Sequence, residues 1–345
     1  MIDDHERRRT PAFTTRIISI AIKGSDKFPP PKTRARLNLL RLIVAALLVR
    51  EEWPEIEAVV LPGGYFRLKR IISLSSIRKR FSRFSRSELA TALLDIAVQL
   101  NARWTGVAVV IGIDSDALDK KIGGDQLVAV WQGGALVALT RKAFPVDGDT
   151  DGKEPVYFIH ADDADDPGRL ITLSNGAKAL VLSCYDAFAV RGLHGRRHVD
   201  LRAIRLISTG KERPHEATSY EKRDHFRRWL TFLDAHPPDL GLIAIHRFRQ
   251  AGQDGYWQRH GIAGASAALD GAPVVGAAHF RRGLPSRLAA SPLASLGVPL
   301  SHLDQGAKRR AHRLAPQDGF TLRDEQGEAI AFLRLFTLNH GDDAS

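Results

Sequence analysis

Apolar residues in this chain fall into two rhythms. Residues 15–23 (TRIISIAIK), 56–61 and 107–113 carry β-branched residues in nearly continuous runs, as strands covered on both faces do. Between the first two, Leu39, Leu42, Ile43, Ala46 and Leu47 recur at spacings of three and four, which predicts a helix over 33–52. A loop at 24–32, with three consecutive prolines, joins that helix to the first strand. A strand–helix–strand unit of this kind favours a parallel pair. A second helix (87–101) leads into the 107–113 strand and a turn rich in Asp and Gly. Residues 126–132 and 135–141 then form a hairpin across Gly133-Gly134. Residues 144–166 read as an acidic loop with a short strand at 156–160.

The second half repeats the pattern. A strand at 203–207 precedes a helix at 219–235, stopped by His236-Pro237-Pro238. A buried-type strand (240–246, LGLIAIH), a small-residue helix (256–269) and a strand (274–279, VVGAAH) follow. The tail closes with a hairpin, 320–323 against 329–336. The division this suggests is a solvated arm (1–13), one main domain (14–283) and a C-terminal extension (284–345) packed on it.

Residues 67–86 stand out. Leu74, Ile77, Phe81 and Phe84 form an apolar helical seam, and Arg78, Lys79, Arg80, Arg83 and Arg86 fill the other faces. Such a helix is either a basic surface element for an anionic partner or a solvated helix docked by its aromatics.

The most informative stretch is 169–191, RLITLSNGAKALVLSCYDAFAVR. Asn175-Gly176 tolerates the positive φ of a tight hairpin turn. The strand after it, 179–183, ends on Cys184, the only cysteine of the chain. A lone thiol is either a small buried hydrophobe or a reactive group, and strand ends in open α/β sheets are where ligands bind.

SCYD at the end of such a strand resembles the nucleophile strand of the nitrilase (carbon–nitrogen hydrolase) superfamily. AVVLPGGYF (58–66) is similar to the strand that delivers that family's catalytic glutamate, and GALVALTRKAFP (134–145) to its lysine strand. The resemblance implies a four-layer α-β-β-α sandwich, Cys184 as nucleophile and Lys142 as the cation that stabilises developing negative charge. It also implies homo-oligomers and a small amide or nitrile as substrate. Gly63 stands where the family has glutamate directly after proline. A base must then come from elsewhere: Glu154, near where the family often places a second glutamate, one of Asp147, Asp149 and Asp151, or a histidine. Among His160, His194, His246 and His279, the last pair-members, His246 and His279, end strands that could share an edge with Cys184. The remaining alternatives are altered chemistry, such as acyl transfer to an amine, and a catalytically silent binding or assembly module.

Composition narrows the rest. With 345 residues, 44% of them hydrophobic, the chain can bury a large core. No apolar run is long enough for a membrane span, and the N-terminal MIDDHERRRT lacks a secretory apolar core. A single cysteine suits a reducing cytosol. Lys and Arg exceed Asp and Glu by 11, so a nucleic-acid partner is a further, weaker reading. There is no CxxC, HExxH, Walker-type loop or GxGxxG order, so no metal or other cofactor is expected.

Overall fold

Neighbouring residues of the first strand enter different apolar layers: Ile17 packs with one set of side chains, Ile18, Ile20 and Ile22 with another. A strand sends successive side chains to opposite faces, so a continuous apolar run needs cover on both. The computed structural model describes residues 13–24, 32–68, 77–115, 126–146, 157–159, 163–190, 204–208, 215–247, 253–281, 294–296 and 312–340.

In chain order the first half comprises β1 (Phe13–Gly24), α1 (Thr33–Leu48), β2 (Ala58–Val60), β3 (Phe66–Leu68), α2 (Ile77–Ser85) and α3 (Glu88–Arg103). Then come β4 (Ala108–Ser115), β5 (Gln126–Gln132), β6 (Ala135–Arg141), β7 (Tyr157–Ile159), β8 (Leu170–Thr172), β9 (Lys178–Ser183) and the short α4 (Asp186–Ala189). The second half has β10 (Leu206–Ser208), β11 (His215–Glu216), α5 (Ser219–Ala235) and β12 (Leu240–Arg247). A helix in three parts follows: α6 (Gln253–Tyr256), a π-helical turn (Trp257–Ile262) and α7 (Ala263–Ala268). The chain ends with β13 (Val274–Arg281), β14 (Ala294–Leu296), β15 (His312–Arg313), β16 (Asp318–Arg323) and β17 (Ala329–His340).

β6, β5, β4, β2 and β1 lie side by side, and β17 runs antiparallel to β1 from Phe13↔His340 to Ile22↔Ala331. β13 takes over at the tip of β1, pairing in parallel at residues 22–24, and carries β12, β9 and β8 beyond it. The two strand groups meet at this tip and pack face to face. Between them lie Val60, Val110, Val130 and Phe336 from one group and Val181, Leu242, Ala244 and Val275 from the other. A second apolar layer joins α1 and α3 to the first group, through Leu40, Ile43, Leu93 and Ile96 against Val59, Val109 and Ile111. A third joins α5 and the three-part helix to the second group, through Phe226, Trp229 and Ile262 against Leu182, Ile243 and Ile245. Each such fully buried aliphatic side chain contributes about 1.5–3 kcal/mol. The result is the four-layer α-β-β-α arrangement.

Several elements differ from the sequence expectation. α1 ends at Leu48, not near residue 52, because Trp53 folds back into the core and its Nε1 donates to Asp318 at 2.6 Å. The helix expected over 256–269 contains the π-turn, since Trp257 lies against Gly261 so closely that a β-carbon there would meet its ring at 2.4 Å. Arg80 is not on a solvated face of α2. It is fully buried and donates to Asp163, which also accepts from Arg141, each at 3.0 Å. Asp163 and Asp166, read as part of an acidic loop, are likewise buried. Leu74 of the apolar seam lies outside the described residues. Among the described residues no helix is long and apolar enough to cross a membrane.

Candidate active site

Cys184 follows the last residue of β9 and adopts a positive φ of 46°. A residue with a β-carbon is strained there, by roughly 1–2 kcal/mol. Two backbone bonds hold it: its N–H donates to Ala244 O at 2.9 Å, and its carbonyl accepts from Ala187 N–H at 3.2 Å. The turn thereby lifts the thiol off the end of the strand.

His246 and Asp114 reach the same place from the facing strands. In β12 Leu240, Leu242 and Ala244 point into the layer between the sheets, and in β4 Ala108 and Val110 do so. Period-two alternation carries that inner face on to His246 and Asp114, at the C-terminal ends of both strands. His246 Nε2 and Asp114 Oδ1 are 2.8 Å apart. Burial by itself lowers the His246 pKa. The charge and hydrogen bond of Asp114, joined by a hydrogen bond and charge interaction with Cys184, reverse this and raise it to about 10. Asp114, with Cys184 acting in the same sense, thus favours the protonated imidazole, and an imidazolium near a thiol favours the thiolate.

Glycines make room for this pair. A β-carbon on Gly63 would stand 2.7 Å from His246 Nδ1 and 2.8 Å from Ala244 O. One on Gly64, whose φ is +61°, would stand 2.5 Å from Asp114 Oδ2. One on Gly112 would run into the Gly63 Cα at 2.3 Å. The Gly63 N–H donates to Ile245 O at 3.0 Å, and Arg36 Nη1 donates to Gly64 O at 3.1 Å, so the loop is pinned from both sides.

Lys142 is buried at the end of β6, and its Nζ donates to Gln126 Oε1 at 2.9 Å. Asp186, two residues after Cys184, accepts from the N–H groups of Ala143 and Phe144 at 2.9–3.1 Å. It also pairs with Arg169 at 3.4 Å and feels the charge of Lys142. Asp186 therefore ties the turn of the thiol to the strand end of the lysine. Burial still raises its pKa above the ordinary carboxylate range. Glu154, Asp147, Asp149, Asp151, His160 and His194 lie outside the described residues. His279 is buried, with Nδ1 2.7 Å from the His246 carbonyl and its ring parallel to that of Tyr65.

Asp114 was missed in the sequence because the strand was ended at 113. Carrying the alternation Ala108, Val110, Gly112 one step further would have found it. His246 was set apart with His279 as a histidine ending a strand that could share an edge with Cys184, and the sequence did not choose between the two.

No family model matches the chain, and no curated protein does. Among solved structures it is similar to a mutant amidase from Nesterenkonia sp. AN1 that carries an acetamide moiety on its active-site cysteine. That match has a TM-score of 0.45 and 13% identity, over 94% of this chain and 90% of the other. A second form of the amidase, described as belonging to the nitrilase superfamily, gives 0.44 and 12%, over 95% and 91%. A glutamine-dependent NAD(+) synthetase from Cytophaga hutchinsonii gives 0.40 and 10%, over 95% of this chain and 43% of that one. At these scores the likeness carries no residue role, and the chemistry rests on the geometry of this chain.

Proposed function

We propose that the protein is a cysteine-dependent hydrolase of carbon–nitrogen bonds in small amides, with Cys184 as nucleophile, His246 as acid and base, Asp114 as the group that orients and charges His246, and Lys142 as the oxyanion's cation. The observation that supports it most is the His246 imidazole, held 2.8 Å from Asp114 and raised by Cys184 as well.

In the resting site the proton sits on His246 and the sulfur is a thiolate. The thiolate attacks the amide carbon, a C–S bond forms, and the carbonyl electrons move to oxygen beside the Lys142 ammonium. As the C–N bond breaks, His246 gives its proton to the departing amine, leaving a thioester. The now neutral imidazole takes a proton from water, hydroxide attacks the thioester, and the thiolate leaves. This restores the starting charges. A nitrile would pass through a thioimidate at the same sulfur.

This reading gives Gly63 a reason. The family resemblance places a glutamate there, and in this chain the space over that glycine is taken by the imidazole. A histidine from β12 would do the proton transfers that the resemblance assigns to a carboxylate from the β2 end.

The test is acylation of the full chain by an activated acetyl ester, read by intact-mass spectrometry, followed by turnover of a panel of small amides. One acetyl group on Cys184 in wild type, and none in Cys184→Ala, is expected. His246→Ala should slow acylation by roughly 10²–10⁴-fold. A wild-type protein that is never acylated, or a His246→Ala protein acylated at the wild-type rate, overturns the reading.

A further inference from the structure

His246 is the residue that β12 sets aside from its pairing. Ile245 lies opposite Ala278 and Arg247 opposite His279, so β12 gains one residue against β13 at His246. An inserted residue of this kind kinks the strand, leaves a ladder group without its usual partner and re-aims a side chain. Here the His246 carbonyl is met by a side chain: Nδ1 of His279 stands 2.7 Å from it.

We propose that His279 is a positioning residue, whose Nδ1–H holds the His246 carbonyl and so fixes the bulge that presents the His246 imidazole to Cys184. The proposal rests on the reading of His246 as the acid–base group of the site.

Three features support it. A carbonyl only accepts, so Nδ1 must carry the hydrogen, which fixes the tautomer and leaves Nε2 as an acceptor. That Nε2 is buried and has no hydrogen-bond partner among the described residues. Leaving a buried acceptor unmatched costs about 1–3 kcal/mol, and a phenylalanine would fill the space without that cost. The feature that justifies a histidine here is therefore the Nδ1 bond.

The ring is also held in place. It lies parallel to Tyr65 at 6°, with centroids 6.4 Å apart, and its β-carbon sits 2.9 Å from where Gly24 has none. Tyr65 in turn donates to Arg36 O at 2.9 Å.

The charged groups around His279 keep it neutral. Burial is the largest influence, and the cations Arg36 on α1 and His246 on β12 act with it to bring the pKa down to about 4. The bond to His246 O and the charge of Asp114 on β4 oppose them. The ring is therefore uncharged at neutral pH, where its neighbour is an imidazolium.

The experiment is alkylation of Cys184 by iodoacetamide in the full chain between pH 5 and 9, in wild type, His279→Phe, His279→Asn and His246→Ala. His279→Phe should lower the rate at pH 6 by roughly 10–100-fold, as loss of an orienting partner does. Its profile should move toward that of a free thiol. His279→Asn, with an amide N–H close to the position of Nδ1, should keep most of the wild-type rate.

A wild-type profile in His279→Phe alongside a lost one in His246→Ala overturns this inference alone. Equal losses in the Phe and Asn variants overturn it too, since the hydrogen bond would then not be the cause. Unchanged profiles in both His279→Phe and His246→Ala overturn the reading of the site itself. Should the Phe variant fail to fold, nitrogen–proton correlation spectra of the wild type decide the matter. The His279 ring should be neutral with its hydrogen on Nδ1 from pH 5 to 8, and a hydrogen on Nε2 overturns the proposal.

Discussion

Gly63 lies under the imidazole of His246: a β-carbon added to it would stand 2.7 Å from Nδ1 and 2.8 Å from the Ala244 carbonyl. The second neighbour is backbone of a central strand and cannot yield. Gly63→Ala should therefore push His246 away from Cys184 and cost about 1–3 kcal/mol through overpacking. Gly63→Glu should do the same, and restoring the residue that the nitrilase resemblance expects should abolish thiol reactivity. Iodoacetamide labelling at pH 7 and a thermal melt check both. Wild-type labelling in Gly63→Glu would mean that the imidazole has no part in activating the sulfur.

Asp114 sets the charge of His246. Removing the negative charge in Asp114→Asn takes away the main influence that opposes burial, so the His246 pKa falls from about 10. The sulfur then ionises only near the ordinary thiol value of about 8.5. Alkylation at pH 6 should drop sharply in this variant and recover above pH 9, whereas the wild type stays reactive throughout. The same charge acts on stability. His246 is raised above its unfolded value of about 6.5, so its contribution is complete below that pH and is lost as pH rises toward 10. A variant with an unchanged alkylation profile would remove Asp114 from the site.

The layers were legible in the sequence because burial on both faces leaves a plain mark. IISIAI, LGLIAI and VVGAA are apolar at nearly every position, and each became a sheet strand. The site was legible only in part. Cys184 announced itself as a lone thiol after a hairpin strand, but Asp114 sits one step beyond a strand whose end was drawn too early. His246 continues the inner face of β12, but the one-residue slip beside it depends on two strands distant in sequence. Arg80 was misread for a related reason. Its helix is basic on every face outside the Ile77–Phe81–Phe84 seam, and only the buried Asp163 distinguishes one arginine from the next.

Lys142 separates two jobs that the thiol reactions would otherwise mix. Alkylation by iodoacetamide needs a thiolate and develops no oxyanion, whereas acylation by an ester does. Lys142→Met should leave alkylation within a few-fold of wild type and lower acylation by roughly 10²–10³-fold, the usual cost of one lost oxyanion donor. Both rates are measured on the same folded preparation, checked by its melting temperature. Parallel losses in the two reactions would assign the lysine to holding the fold, through its bond to Gln126, and not to the chemistry.

Two histidines make the fold sensitive to mild acid. His225 and His279 are buried, and burial is the main cause that lowers each to about 4. Between pH 4 and 6.5 the unfolded chain binds protons there and the folded chain does not, so stability falls as pH falls through this window. The upper bound is about 3 kcal/mol for each group. Denaturant melts at pH 7, 5.5 and 4 should show the loss, and His225→Phe should flatten it. Equal stability at pH 7 and 4 would contradict the neutral, buried state of both rings.

Asp163 is where the Lys142 end of the sheet and the basic helix α2 depend on one another. Its carboxylate is fully buried, accepts from Arg80 and Arg141 at 3.0 Å each, and lies beside Arg169, whose side chain donates to the Asp163 carbonyl. Burial alone would raise its pKa, but the three guanidinium groups hold it well below the usual carboxylate range. Asp163→Asn keeps the shape and removes the charge, which leaves buried arginines without compensation at a cost of about 3–5 kcal/mol. Arg169 also reaches Asp186 and the Arg141 carbonyl, so the disturbance should pass to the Lys142 strand end and the Cys184 turn together. The expected result is a lower melting temperature with slower acylation, while Arg78→Ala on the exposed side of α2 changes neither. A fully stable Asp163→Asn protein would show that the arginines find other partners and that α2 is not anchored through this pair.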